Sequence, residues 1–253
     1  MLFDLTGRTA LVTGSSRGIG KVLAAGLAAA GADVVLHGRD AAALAAAQRE
    51  IEDAGASGVR TVSFDVTDAV AVADAVPALD ELTGGIDILV NNAGIQRRAP
   101  FLEFTLADWD ALVAVNLTSA FLVGQQVARG MAARGRGKII NIGSVQTQLG
   151  RPGIAPYAAT KGGIGMLTKG MCADLAPHGI CVNALAPGYV ATELTSALVE
   201  DETFSAWVRG RTPAGRWGRV EDLVGTAVYL ASSASDFVHG QIIYVDGGMT
   251  AVV

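Results

Sequence analysis

The sequence predicts an α/β fold in which a seven-stranded parallel sheet is covered by helices on both faces. Short runs rich in β-branched residues alternate with longer Ala- and Leu-rich segments of helical period from residue 8 to residue 246. The strand candidates are unbroken apolar runs, as expected for strands buried on both faces. No Pro/Ser-rich linker, charge block or fixed-period repeat divides the 253 residues. We therefore expect one doubly wound, Rossmann-type domain over residues 1–253.

The predicted elements alternate regularly along the chain. The β-branched runs predict seven strands, at Thr9–Thr13, Asp33–His37, Val59–Phe64, Ile86–Asn91, Lys138–Ile142, Ile180–Leu185 and Ile242–Val245. The helical periodicity between them predicts helices near Ile19–Ala30, Ala41–Ala54, Ala69–Leu82, Ala107–Ala133, Pro156–Leu175 and Val220–Ala231. The segment 186–217 has few strand signals and follows the sixth strand. Because such sheets bind ligands beyond the carboxyl ends of their strands, we expect this segment to be a substrate lid.

The composition excludes several classes of protein. Hydrophobic residues make up 51% of the chain and charged residues 17%, which excludes a disordered chain. The net charge is −5 and the Lys and Arg residues are scattered, so we expect no nucleic-acid partner. The N-terminus lacks a signal-peptide pattern, and no apolar run reaches the roughly 18 residues that span a bilayer. We expect a soluble, cytoplasmic protein with no membrane partner.

The cysteines and histidines form no recognisable reactive or metal-binding pattern. Cys172 and Cys181 belong to no metal-ligand spacing, so we expect reduced, buried thiols and no metal site. The histidines His37, His178 and His239 lie outside every catalytic motif. We expect them at the surface or at caps.

A glycine-rich loop joins the first predicted strand to the first helix. It has the sequence Thr-Gly-Ser-Ser-Arg-Gly-Ile-Gly over residues 13–20. Its glycines let the backbone approach a pyrophosphate, while the helix N-terminus offers free N–H groups and a favourable dipole. This context predicts a dinucleotide site, with an ordinary tight turn as the alternative. The candidate cofactor residues here are Gly14, Ser16, Arg17, Gly18, Ile19 and Gly20.

Charges after the second and third strands indicate which dinucleotide binds. A 2′-phosphate on the adenosine ribose is usually met at this point by a cation, and a free 2′-hydroxyl by an acid. Arg39 follows the second strand and Arg17 can reach the same phosphate, so we expect NADP(H), with NAD(H) or two solvated arginines as the alternatives. Asp65, next to Val66, is expected to accept a hydrogen bond from adenine or, alternatively, to cap the next helix.

Further polar residues cluster at predicted strand ends and on helices. Tyr157 and Lys161 are four residues apart on a predicted helix, so they share a face, about 40° apart in azimuth. Ser144 ends the fifth strand, and Asn116 lies inside a long helix. The motif Asn-Asn-Ala-Gly at 91–94 follows the fourth strand, where its amides can connect neighbouring strands; a bare turn is the alternative.

In this order and spacing, the motifs resemble the short-chain dehydrogenase/reductase family over essentially the whole chain. The resemblance rests on TGxxxGxG at 13–20, NNAG at 91–94, Asn116, Ser144, Tyr157-x-x-x-Lys161 and Pro187-Gly188. It implies hydride transfer between a nicotinamide cofactor and a carbinol carbon, with Tyr157 as general acid and base. Ser144 would hold the substrate oxygen, and Asn116 a water for a proton relay through Lys161. A Lys161 ammonium about 4 Å from the phenol would supply the ~4 kcal/mol that brings a tyrosine pKa from about 10 toward 7.

The same resemblance implies further cofactor contacts and an assembly. The implied cofactor residues are Asp65, Val66, Asn92, Ala93, Gly94, Tyr157, Lys161, Pro187, Gly188, Val190 and Thr192. Members of the family are commonly homotetramers that pair the helices carrying Asn116 and Tyr157, so we expect a homotetramer.

Several stretches resemble more closely those family members that interconvert D-gluconate and 5-dehydro-D-gluconate. They are 92–98, 144–148, 211–218 and 245–249. A sugar acid needs a cation for its carboxylate and amides for its hydroxyls. We therefore expect substrate contacts from Arg97, Arg98, Ser144, Gln146, Gln148 and Tyr157, although the two arginines could instead contact solvent or another subunit.

Three alternative functions remain open. An NAD-linked 2-dehydro-3-deoxygluconate 5-dehydrogenase shares several of these stretches, but Arg39 argues against it. A 3-oxoacyl carrier-protein reductase would be expected to carry a basic patch for its acidic carrier. A dinucleotide-sensing scaffold would be expected to have lost Tyr157 or Lys161, and both are present.

Overall fold

The structure is a computed structural model that describes residues 2–253 and, of Leu194, only the backbone. Its seven strands are β1 Thr9–Val12, β2 Asp33–Gly38, β3 Val59–Ser63, β4 Ile88–Asn91, β5 Gly137–Ile142, β6 Ile180–Pro187 and β7 Ile242–Val245. They form one sheet of order β3-β2-β1-β4-β5-β6-β7, and every neighbouring pair is parallel. The predicted α/β fold with a seven-stranded parallel sheet is confirmed. The strand order reverses between β1 and β4, and folds of this kind bind ligands at such a switch point.

The helices cover both faces of the sheet. They are α1 Gly18–Ala29, α2 Ala41–Asp53, α3 Ala69–Thr83, α4 Leu106–Val113, α5 Ser119–Arg134, α6 Ala155–Leu175, α7 Ser196–Glu200, α8 Glu202–Arg211 and α9 Val224–Ala231. Side-chain caps start several of them, because an Asp or Thr oxygen accepts from otherwise unpaired N–H groups of the first turn. Asp40 caps α2, Asp68 caps α3 and Thr105 caps α4.

Alternate residues of the central strands pack into two apolar clusters, one on each face of the sheet. Val34 and Leu36 of β2 lie in the cluster that contains α1, α2 and α9. Val35 lies in the other, with α3 and α5. The edge strand β3 departs from the expectation of strands buried on both faces, since most of its residues are exposed or partly so.

The long helix expected at Ala107–Ala133 contains a break that the sequence periodicity did not predict. A π-helical turn at Ala114–Thr118 separates α4 from α5. The whole stretch Leu106–Arg134 is long and apolar enough to cross a membrane by length and composition, and 44% of its most apolar window is buried inside the fold. Val123, Val127 and Met131 belong to the core. The α5 part of this stretch is therefore packed in the core of the fold.

The segment 186–217 is more ordered than its sequence suggested. It contains α7 and α8, and its aromatic residues pack together. The Tyr189 ring lies edge-on to Phe204 and Trp207, each with a centroid separation of 5.7 Å, and to Trp217 at 5.8 Å. Such edge-to-face pairs add to the apolar burial of the rings. We call these four residues the aromatic cluster.

Candidate active site

The loop between β1 and α1 forms an open cradle at the switch point of the sheet. Gly14 and Gly18 have φ of +64° and +57°, which a residue with a Cβ adopts only under strain. A Cβ at Gly20 would overlap Asn92 Nδ2 and lie 2.5 Å from the Gly14 carbonyl oxygen. A Cβ at Gly18 would meet nothing within 4 Å. The loop is therefore packed against Asn92 on one side and open on the other.

The N-terminus of α1 retains free backbone donors toward this open side. In contrast to α2 and α3, which Asp40 and Asp68 cap, α1 has no side-chain cap. Its N–H groups and the positive end of its dipole favour a bound anion. A pyrophosphate would fit this cradle.

The two asparagines after β4 connect three neighbouring segments. Asn91 Nδ2 donates to Asn141 Oδ1 of β5 at 2.9 Å. Asn92 Nδ2 donates to the carbonyl oxygens of Thr13 and Gly14 at 2.9 and 3.0 Å. Thr13 Oγ1 accepts in return from the N–H groups of Asn92 and Ala93 at 3.0 and 3.1 Å. These bonds hold the 91–94 turn beside the glycine loop.

His37 supports the glycine loop from below, contrary to the expectation of a surface or capping histidine. His37 lies on β2 and is only 2% exposed. Nδ1 accepts from the Gly14 N–H at 3.2 Å, and Nε2 lies 3.0 Å from the Phe64 carbonyl oxygen, to which it donates. Burial lowers the pKa of His37 to about 4, so the ring is neutral at physiological pH. The only signal in the sequence for the contact with the glycine loop was that His37 is a polar residue at the end of the apolar run of β2.

We expect His37 to make the stability of the fold depend on pH. Its pKa is 6.5 in an unfolded chain and about 4 in the fold, so below pH 6.5 the unfolded chain binds a proton that the folded one does not. The stabilisation, about 3 kcal/mol for a shift of this size, is complete above pH 6.5 and is lost as the pH falls toward 4. Urea unfolding across this range should show a smaller pH dependence in His37→Asn than in the wild type.

The exposed imidazole of His178 provides the control for that measurement. His178→Asn should keep the wild-type pH dependence. If all three proteins lose stability equally on acidification, the proposed role of His37 is wrong.

Arg39 and Asp65 lie together beyond β2 and β3. Arg39 Nη1 is 3.4 Å from Asp65 Oδ2, and the Arg39 side chain is 73% exposed. Asp65 Oδ1 accepts from the N–H and hydroxyl of Thr67, which lowers the pKa of this carboxyl. Because Asp68 caps α3, the alternative of a capping role for Asp65 is wrong. An exposed ion pair contributes at most about 1 kcal/mol, so Arg39 can exchange it for a phosphate. Arg17 is also exposed.

Ser144, Tyr157 and Lys161 converge beyond β5. Ser144 begins a 3₁₀ turn, accepts from the Gln146 N–H and donates to Gln146 Oε1. It also hydrogen-bonds the Tyr157 hydroxyl. Lys161, only 6% exposed, donates to the Ile142 carbonyl oxygen at 2.7 Å, and its Nζ lies 5.8 Å from the centroid of the Tyr157 ring.

The electrostatics of this group differ from the sequence expectation. Burial raises the pKa of Tyr157, and its hydrogen bond with Ser144 opposes this rise. Burial also lowers the pKa of Lys161 to about 8. In the protein by itself, desolvation therefore dominates the pKa of Tyr157, and the lowering expected from Lys161 stays a prediction. Desolvation disfavours the charged form of both side chains.

Asn116 lies in the π-helical turn and fixes the segment that follows the 91–94 motif. It is 2% exposed; its Oδ1 accepts from the Ile95 N–H at 2.7 Å, and its Nδ2 donates to the Ile95 carbonyl oxygen at 2.9 Å. Nδ2 also lies 3.4 Å from the hydroxyl of Thr160, the neighbour of Lys161. π turns often occur at functional sites, and this one turns the Asn116 side chain inward.

The predicted substrate residues divide into two groups. Gln146 and Arg98 lie near Tyr157 and Tyr189. Arg97 instead faces Asp108, with 3.5 Å between Nε and Oδ1, and Gln148 is exposed. Arg151, which the sequence analysis missed, belongs to the first group. The sequence signal that could have identified Arg151 was its position three residues beyond the 144–148 stretch.

The residues after β6 form the remaining wall. A Cβ at Gly188 would lie 2.7 Å from Asp246 Cα, so this backbone fits closely against the segment after β7. Val190 forms an isolated parallel bridge with Gly218. Thr192, whose N–H donates to Thr195 Oγ1, caps a short 3₁₀ turn that leads into α7. Pro187, at the end of β6, completes the set predicted from sequence.

Comparison with known proteins finds a matching family model and similar relatives over nearly the whole chain. A family model described as enoyl-(acyl carrier protein) reductase matches residues 14–250. The chain is 59% identical to the gluconate 5-dehydrogenase of Gluconobacter oxydans, over 98% of this chain and 97% of the relative. It is 50% identical to the 5-keto-D-gluconate 5-reductase of Escherichia coli K12, over 100% and 99%. A crystal structure of a gluconate 5-dehydrogenase from Burkholderia cenocepacia, in complex with NADP and tartrate, superposes with a TM-score of 0.97 at 57% identity, covering 100% of this chain and 98% of that one.

Proposed function

The chain belongs to the short-chain dehydrogenase/reductase family, and from this premise we propose that it is an NADP(H)-dependent oxidoreductase that interconverts D-gluconate and 5-dehydro-D-gluconate. The observation that carries the proposal is the convergence of Ser144, Tyr157 and Lys161 beyond β5, beside the guanidinium groups of Arg98 and Arg151. The first three groups suit proton transfer at a carbinol oxygen, and the two cations suit an acidic substrate.

The cofactor fits the residues at the switch point of the sheet. The glycine loop, residues 14–20, and the uncapped start of α1 would hold the pyrophosphate. Arg39 and Arg17 would hold the 2′-phosphate, and Asp65 with Val66 the adenine. Asn92, Ala93, Gly94 and Lys161 would contact the ribose, and residues 187–192 the nicotinamide side. Bound NADP(H) supplies a hydride donor or acceptor at its nicotinamide ring.

Side chains of the protein transfer the proton and bind the substrate oxygen. In the direction of reduction, the Tyr157 hydroxyl donates its proton to the ketone oxygen at C5; in oxidation, its phenolate accepts the proton from the C5 hydroxyl. Ser144 Oγ holds the same oxygen next to the phenol. The Lys161 ammonium stabilises the phenolate form, and Asn116 would hold a water through which Lys161 exchanges protons with solvent.

Arg39→Ala tests the cofactor assignment. We expect the KM for NADPH to rise about tenfold or more, because a charge-assisted contact to the 2′-phosphate is lost. The KM for NADH, which has no such phosphate, should stay unchanged. Steady-state kinetics with both cofactors measures the difference, and Arg49→Ala, an exposed arginine of α2, is the matched control. Equal changes for NADPH and NADH would exclude Arg39 as the phosphate ligand.

We further propose that residues 186–217 form a lid and that the protein is cytoplasmic.

We also propose a homotetramer. Phe121 is 47% and Met166 is 66% exposed on α5 and α6, and a groove of about 320 Å³ lies between these helices. Exposed apolar surface of this kind supports pairing of these helices between subunits. A purely monomeric protein in sedimentation equilibrium would contradict the tetramer. The chain offers no basic stripe for nucleic acid.

A further inference from the structure

Two guanidinium groups, those of Arg98 and Arg151, lie near Tyr157 and Tyr189. Arg98 follows the 91–94 turn, and Arg151 precedes α6. The positive charge of each acts to lower the pKa of the Tyr157 and Tyr189 hydroxyls, against the effect of burial, and the charge of Arg151 acts to lower the pKa of Arg98. Like charges repel, so this juxtaposition costs free energy in the protein by itself.

No acidic side chain among the described residues pairs with either cation. Among the described residues, no Asp or Glu forms an ion pair with Arg98 or Arg151, whereas the adjacent Arg97 faces Asp108. An unpaired cluster of positive charge next to a catalytic group is an attractive environment for an anion.

Arg151 makes several contacts that fix its position, and one of its N–H donors has no partner among the described residues. Its Cζ lies 5.4 Å from the centroid of the Phe204 ring, a cation–π arrangement with the aromatic cluster of the lid. Its Nη1 donates to the Pro152 carbonyl oxygen at 3.2 Å, and its guanidinium interacts with the Tyr189 hydroxyl. Its Nε is buried and has no hydrogen-bond partner among the described residues. Leaving such a donor unsatisfied is unfavourable, so a ligand acceptor at this position would relieve the cost.

We propose that Arg151 is a specificity-determining residue that binds the substrate carboxylate together with Arg98, while Phe204 and Tyr189 of the lid fix its orientation. This inference rests on the proposed function and adds to it a residue that recognises the acid group. Guanidinium groups offer planar, paired donors that match a carboxylate. In a six-carbon sugar acid the carboxylate lies at the opposite end of the chain from C5, so one molecule could reach both Arg151 and Tyr157. Neutral polyols would lack this contact.

The test compares D-gluconate with its uncharged amide, D-gluconamide, as substrates of the full-length enzyme with NADP⁺. Arg151→Gln should raise the KM for gluconate about ten- to a hundredfold, from the loss of a charged hydrogen bond, with little change in kcat. The KM for gluconamide should not change. Arg151→Lys, which keeps the charge but not the fork of donors, should recover part of the loss. Arg60→Gln, an exposed arginine on the distant edge strand β3, is the matched control and should behave as the wild type.

A purely structural role for Arg151 gives a different result. If Arg151 only held Phe204 and the lid, Arg151→Gln would impair the acid and the amide equally, and the proposal would be overturned. It would also be overturned if neither substrate were affected.

A binding measurement separates this proposal from the proposed function. If the wild type oxidises neither compound, the proposed function fails, and binding of tartrate, a hydroxy diacid, then tests the anion site directly. Trp207 and Trp217 contact Tyr189, so their fluorescence reports on ligands at this position. Arg151→Gln should weaken tartrate binding about tenfold or more relative to Arg60→Gln. Equal affinities, or no binding to the wild type, would refute the carboxylate site.

Discussion

Tyr157→Phe should lower kcat about a thousandfold or more while NADPH binding stays unchanged. The substitution removes only the phenolic oxygen, which is the group placed to exchange a proton with the substrate oxygen, and general acid–base catalysis of this kind contributes about 10²- to 10⁴-fold. The ring itself remains to fill its space in the site. Ser144 keeps its hydrogen bonds with Gln146, so the local turn should persist.

The measurement combines single-turnover kinetics with a titration of NADPH followed by its fluorescence. Tyr244→Phe, which removes a phenol from β7, is the control and should keep wild-type activity. More than a tenth of the wild-type kcat in Tyr157→Phe would contradict the assignment of the tyrosine as the proton donor.

Lys161→Met should lower kcat about a hundredfold and abolish the fall in kcat that we expect at basic pH in the wild type. Methionine is close in size to the buried lysine, so the apolar packing can be retained. The substitution removes the cation that stabilises a phenolate at Tyr157 and leaves the Ile142 carbonyl oxygen without its donor.

The pH profile separates this role from a structural one. The pKa of Lys161 is about 8, so its ammonium is present below that pH and is lost as the pH rises through it. Wild-type kcat for reduction should therefore fall above pH about 8, and Lys161→Met should lack that step. Lys169→Met, an exposed residue of the same helix, is the control. A step that survives in Lys161→Met would show that another group causes it.

Residues whose function depends on backbone position were predictable from sequence, because strand–loop–helix order fixes where their chain segments lie. The glycine loop, the amides after β4 and the Tyr157–Lys161 pair are of this kind. All seven strands were also predicted, since a parallel sheet buried on both faces gives long apolar runs.

Contacts that depend on side-chain direction were not predictable. Nothing in the sequence distinguishes Arg98, which lies near Tyr157, from its neighbour Arg97, which faces Asp108. His37 was expected at the surface because its role depends on the loop from β1 folding over β2. The π turn around Asn116 keeps the helical period almost intact, so periodicity does not reveal it. Tertiary packing decides each of these cases.

The most direct test of the account is the reaction of the purified protein with 5-dehydro-D-gluconate, followed separately by the oxidation of NADPH and of NADH. We expect NADPH to be oxidised with a kcat/KM about tenfold or more above that for NADH, since only NADPH carries the phosphate that Arg39 can bind. No oxidation of either cofactor, or a clear preference for NADH, would contradict the account.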